Sequence, residues 1–142
     1  MIVPDVNLLL YAVVDSYRHH EAARRWWEEL LAGAEPVGLT APVVFGFIRI
    51  ATNRRIFDPP MTVEAATEHV REWLAQPPAR LLPAGPRHLD IAFELLEATG
   101  SAANLTTDVQ IAAAAIEYGA EVHSNDTDFA RIPGVRWRNP LA

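Results

Sequence analysis

Asp5, Asp108 and the pair Asp126 and Asp128 stand far apart in the chain, yet each falls at a comparable place in the local pattern. Asp5 and Asn7 follow the short apolar run that opens the sequence. Asp108 begins a long apolar helix pattern. Ser124, Asp126 and Asp128 follow another apolar run near the end. If the runs are parallel strands, ligands are expected beyond their carboxyl ends, and all these acids land on that rim. Crowded carboxylates repel one another and resist ionisation. A divalent cation relieves the repulsion, and Mg²⁺ takes hard oxygen ligands while keeping several waters. A cation so held can activate water and neutralise charge on a phosphodiester. Asp5, Asp108 and Asp126, with Asp128 beside the last, are therefore the candidate acids for metal-assisted phosphodiester hydrolysis.

Each acid also has a plainer reading. Asp5, Asn7 and Asp126 suit helix caps, and Asp108 suits a first turn favoured by the helix dipole. Capping alone does not explain why all of them follow strands on one edge.

The elements that must position these residues are legible as short apolar runs alternating with helical periodicity. Strands are expected at Ile2–Asp5, Val37–Thr40, Arg80–Leu82, Glu121–Ser124 and Val135–Trp137. Helices are expected from about Asn7 to Val14, from Tyr17 to Ala32, after Pro42, after Thr62 and after Pro86. A further helix covers Asp108–Tyr118, capped by Thr106 or Thr107 and closed by Gly119. It is apolar nearly all round and should be buried. Val63, Leu89 and Phe93 are expected to face inward. Strands alternating with helices imply βαβ units and a mainly parallel sheet with helices on both faces, a three-layer α/β/α sandwich. The 142 residues suit one domain spanning 1–142.

Composition narrows the chemistry. The chain has no cysteine, which excludes thiolate metal sites and disulfides. All 12 basic residues are arginine, so P-loop and Schiff-base lysine chemistry is excluded. No G-x-S-x-G elbow occurs, and the five histidines show no ligand spacing. The net charge of −6 counts mildly against a nucleic-acid partner, although bound cations change the local balance. No stretch reaches the apolar length of a membrane span. The amino terminus lacks the basic start of a signal peptide, so a cytoplasmic protein is expected.

The motifs themselves resemble those of the PIN-domain nucleases, the VapC toxins in particular. Pro4-Asp5-Val6-Asn7-Leu8-Leu9 is similar to the family's opening Asp-x-Asn. Asn104-Leu105-Thr106-Thr107-Asp108 through Ala115 resembles its central acidic helix. Ser124-Asn125-Asp126-Thr127-Asp128-Phe129 resembles its closing Ser/Thr-x-Asp-x-Asp-Phe, and Gly134–Trp137 with Asn139-Pro140-Leu141 resembles the last strand of one VapC subgroup. The resemblance implies an Mg²⁺- or Mn²⁺-dependent endoribonuclease of PIN-like fold, with Asp5, Asp108 and Asp126 as catalytic, metal-holding acids and Asp128 as a metal ligand through water or a support, inhibited by a VapB-type antitoxin and assembled as a homodimer. There is one departure. Where many members place a glutamate on the helix after the second strand, this chain reads Gly46-Phe47-Ile48-Arg49. Gly46 leaves the number of metals open, and with it a second reading, a degenerate PIN domain that binds RNA or protein without cutting. A mid-helix glycine costs about 1 kcal/mol against alanine. It serves either close approach by RNA or another helix, or tight packing. Arg49 and Asn53 share its face and, with Asn7, Thr107 and Ser124, are the expected supporting or RNA-binding residues. Trp26 and Trp27 are adjacent, so one ring is expected to meet a partner.

Overall fold

The computed structural model describes residues 1–100 and 105–142, so Asn104 of the central motif lies outside the described residues. Five strands form one sheet: β1 (Ile2–Pro4), β2 (Val37–Thr40), β3 (Ala79–Leu82), β4 (Glu121–His123) and β5 (Arg136–Arg138). Every pairing is parallel, in the order β3-β2-β1-β4-β5. Among the described residues six α-helices flank it: α1 (Val6–Val13), α2 (His20–Ala32), α3 (Ala41–Ala51), α4 (Val63–Leu74), α5 (His88–Thr99) and α6 (Thr106–Tyr118). A 3₁₀ turn at Thr127–Arg131 links β4 to β5. The expected α/β architecture with a parallel sheet is the one found.

The order reverses between β1 and β4. From β1 the chain walks through β2 to β3, then returns to place β4 and β5 on the other side. A crevice opens beyond the carboxyl ends of the strands at such a switch point. Register sets what lines it. Pro4 pairs with His123, so the next residues, Asp5 and Ser124, emerge side by side.

Helix α6 passes through the centre. Val109 and Ile111 through Ala115 are all buried. Four consecutive alanines let its backbone lie close to β1, β4 and α5. Gly119 ends the helix with φ +66°, a left-handed conformation that side chains rarely adopt. Helix α3 buries Val43, Phe47 and Ala51 at spacings of four. Phe47 meets Trp73 of α4 edge-on at 4.9 Å.

Several expectations need correction. Helix α2 begins at His20, three residues later than its periodicity suggested, and α5 begins two residues beyond Pro86. Neither Thr106 nor Thr107 occupies the cap of α6; Leu105 does, without a side-chain cap bond. Val63, Leu89 and Phe93 are exposed, because Ala66, Val70 and Trp73 carry the buried face of α4, and Ile91, Ala92 and Leu95 that of α5. Helical spacing admits either stripe, and the sheet position chooses. Trp26 and Trp27 contact each other within the chain, with Trp26 half-buried and its indole donating to His123. They stack at 5.5 Å, and Trp27 is buried against Trp73.

Phe47→Ala should lower stability by about 3–5 kcal/mol, the cost of emptying an aromatic core site. Phe45→Ala, on the exposed face of the same helix, should stay within about 0.5 kcal/mol. Urea midpoints at constant slope decide both.

Candidate metal centre

Asp5 leaves the end of β1 as the N-cap of α1, and only 4% of it is exposed. Its Oδ1 accepts the Val6 amide at 2.7 Å, and its Oδ2 accepts the Ser124 hydroxyl at 2.6 Å. Ser124 is fully buried. Its Oγ in turn accepts the Asp126 amide at 2.9 Å and, at a marginal 3.5 Å, the Asn7 amide nitrogen. Asp126 caps the 3₁₀ turn by accepting the Asp128 amide at 2.8 Å. Capping is thus real for Asp5 and Asp126, but each cap occupies one carboxylate oxygen and leaves further lone pairs for a ligand.

Asp108 enters from the first turn of α6. One carboxylate oxygen each from Asp108, Asp126 and Asp128 lies within 4.8 Å of the others. Asp5 is their neighbour rather than a member of that trio. Burial above all, then the charges of Asp5, Asp126 and Asp128, push the Asp108 carboxyl up to about 7. Burial also raises Asp5, against the lowering effect of its bonds to Ser124 and Val6, with Asp126 adding repulsion.

The donor set fits a hard divalent cation. It is all oxygen, it is rich in carboxylates, and Asp108 among them holds its proton too tightly when left to itself. The Asn7 Oδ1 is buried with no hydrogen-bond partner, an orphan acceptor that ordinarily calls for an ion or a water. Arg131 lies 3.6 Å from Asp128 at the rim and compensates part of the charge.

The remaining expected residues divide. Thr107, Arg49 and Gly46 line a shared groove of 720 Å³ with Val6. Asn53 is outside that lining, its Oδ1 accepting the Arg55 amide at 2.9 Å. A β-carbon at residue 46 would meet Val6 at 3.5 Å, ordinary contact, so tight packing does not require this glycine. His123, to which scattered spacing gave no role, is buried beneath the site. Its Nδ1 accepts the Trp26 indole at 3.2 Å, its Nε2 donates to Glu121 at 2.8 Å, and its carbonyl accepts the Asp5 amide. Burial lowers its pKa against the opposing pull of Glu121, which agrees with a neutral imidazole. Only the adjacency of β1 and β4 reveals that role.

The PIN domain family model matches residues 2–135. The chain belongs to the PIN-domain family, in its VapC branch. Ribonuclease VapC33 of Mycobacterium tuberculosis is 54% identical, covering 99% of both chains. Ribonuclease VapC37 of the same species is 42% identical over 100% of this chain and 99% of its own. Among solved structures, VapBC2 from Rickettsia felis, bound to a promoter DNA fragment, aligns with a TM-score of 0.71 at 21% identity, covering 98% of each chain. The sarcin-ricin loop cleaving toxin VapC20 of M. tuberculosis aligns at 0.68 with 17% identity, covering 96% of this chain and 99% of its own. At those identities the structures speak to the fold. No helix among the described residues of this PIN domain is long and apolar enough to cross a membrane.

The sign of a pH effect follows. A carboxyl whose folded pKa exceeds its unfolded value stabilises the fold at low pH and loses that contribution as pH rises. With EDTA present, the thermal midpoint should therefore fall between about pH 4 and pH 7 through Asp108, and Asp108→Asn should flatten the decline. Mg²⁺ should raise the midpoint more at pH 8 than at pH 5. A midpoint insensitive to both pH and Mg²⁺ would contradict the site.

Proposed function

We propose that this PIN domain, one domain spanning residues 1–142, is a metal-dependent endoribonuclease and the toxin of a VapBC-type toxin–antitoxin pair. The observation that carries the reading is the convergence of Asp108, Asp126 and Asp128 at the sheet's switch point, with Asp108 holding its proton up to about 7. The names of the full-length ribonuclease relatives support it.

Asp108, Asp126 and Asp128 would hold the cation, Mg²⁺ or Mn²⁺, with Asp5 and the orphan carbonyl of Asn7 completing its surroundings. When bound, the cation supplies an activated water and neutralises charge on the phosphodiester. The chain's own residues do the rest. Ser124 holds Asp5 and Asp126 at a fixed separation through two hydrogen bonds, so that the carboxylates are oriented before substrate arrives. The Asp5 carboxylate, already engaged on both oxygens, contributes field and position. Arg49 is exposed at the groove rim and suits a phosphate oxygen.

The proposed partners are a VapB-type antitoxin, supported by the likeness to VapBC2, and a second copy of the chain. Leu81, Leu89 and Phe93 leave an apolar surface around a 480 Å³ cavity, a face suited to self-association. A cytoplasmic location accords with all of these partners. A non-catalytic RNA- or protein-binding role is the alternative that Gly46 favours, since α3 supplies no carboxylate at that position.

Purified protein should cleave RNA with Mg²⁺ or Mn²⁺ and stop with EDTA. Asp108→Asn and Asp126→Asn should each cost at least about 100-fold, and Asp5→Asn should abolish cleavage while the fold is retained. Ser124→Ala, which removes the hydroxyl that orients Asp5 and satisfies its buried carboxylate, should cost about 10–100-fold. Gel analysis of total RNA reads all of these; metal-independent cleavage, or binding without cleavage, would reject the proposal.

A further inference from the structure

We propose that Phe45, Gly46 and Arg49 form a nucleotide subsite beside the carboxylates, in which one unpaired RNA base stacks on Phe45 while Arg49 holds a phosphate. The inference rests on the ribonuclease reading above and adds to it a requirement for single-stranded substrate at that position.

The argument starts from helix α3. Its buried stripe is Val43, Phe47 and Ala51, so the opposite face must carry Pro42, Phe45, Gly46 and Arg49. Phe45 and Arg49 are four residues apart and therefore neighbours on the helix surface. Phe45 is 68% exposed, and its ring meets no other aromatic ring among the described residues. A single exposed aromatic is ordinary on a protein surface. This one lines a groove whose lining includes the chain neighbours of two of the acids. Val6 and Thr107, the chain neighbours of Asp5 and Asp108, form its other wall.

Gly46 lines the same groove as the aromatic ring and the guanidinium. A β-carbon there would make only ordinary contact with Val6, so the helix tolerates a larger residue and the missing side chain serves the groove rather than the core. Arg49 has no ion-pair partner among the described residues. A free guanidinium matters here, because a chain of net charge −6 with three clustered acids repels a polyanion. A planar apolar face beside a phosphate-seeking fork matches the two halves of a nucleotide, and every base has a face to stack. A base within a duplex is already stacked on both sides, and an A-form helix does not offer it to a side chain.

The test uses the full chain. Base–aromatic stacking of about 1–3 kcal/mol corresponds to roughly 5- to 150-fold in affinity. Phe45→Ala should raise KM for a single-stranded oligoribonucleotide by that factor with kcat nearly unchanged, and Phe45→Trp should restore it. Arg49→Gln should weaken binding and reduce the salt dependence of log affinity by about 0.7, one single-strand phosphate contact. Gly46→Leu should block the groove while the circular dichroism stays that of the parent. A fluorescent purine analogue in the oligonucleotide should be quenched on binding to the Asp126→Asn protein and should lose the quench when Phe45→Ala is added. Unchanged KM and quench in Phe45→Ala, with cleavage intact, would overturn the subsite and leave the ribonuclease reading standing. If the parent does not cleave, that reading fails, and the quench still decides whether Phe45 receives a base. A change only in oligomeric mass or in antitoxin binding would assign the face to a protein contact and reject the proposal.

Discussion

The hydroxyl of Ser124 has one proton, and it goes to the buried carboxylate of Asp5. That bond joins the ends of the two strands between which the sheet reverses direction, and the same oxygen receives the backbone amide of Asp126. A buried carboxylate without such donors would be costly. With them, Asp5 becomes a fixed hydrogen-bond acceptor at the floor of the crevice, close to the remaining acids. The register that pairs Pro4 with His123 is what makes the contact possible. Beneath it the Trp26–His123–Glu121 chain satisfies the polar atoms of a histidine that could not otherwise be buried there.

The centre is built at the expense of the fold's own electrostatics. Three carboxylates are held near one another, and Asp108, pushed first by burial and then by the neighbouring charges, retains its proton to about pH 7. Such a cluster is stable only because rigid parts impose it. The alanine-rich α6 is pinned in the middle of the molecule, and its first turn carries Asp108 to the rim. The 3₁₀ turn after β4 presents Asp126 and Asp128 together. Perturbed carboxyls of this kind mark places where a ligand relieves the strain.

Helix α3 shows how a departure from a family pattern is absorbed. Gly46 brings no carboxylate, and the trio does not draw on α3. The helix instead offers an open wall with an aromatic ring and a guanidinium on one face, while its other face packs tightly against α4.

The local grammar of the chain determined a good deal by itself. Alternating strand and helix patterns, Gly119 at a helix end and the apolar run Val109–Ala115 gave the parallel α/β fold and the burial of α6. The order of the acidic motifs gave their place on one rim. These are properties of short windows, where periodicity and backbone preference decide. Tertiary structure alone decided which acids share a volume. Asp128 joined Asp108 and Asp126, while Asp5 was set behind them by Ser124, 119 residues away. It likewise exposed Leu89 and Phe93 and buried His123. Spacing along a helix names candidate faces but not which one meets the sheet, and distances across a strand order of β3-β2-β1-β4-β5 are invisible to any local window.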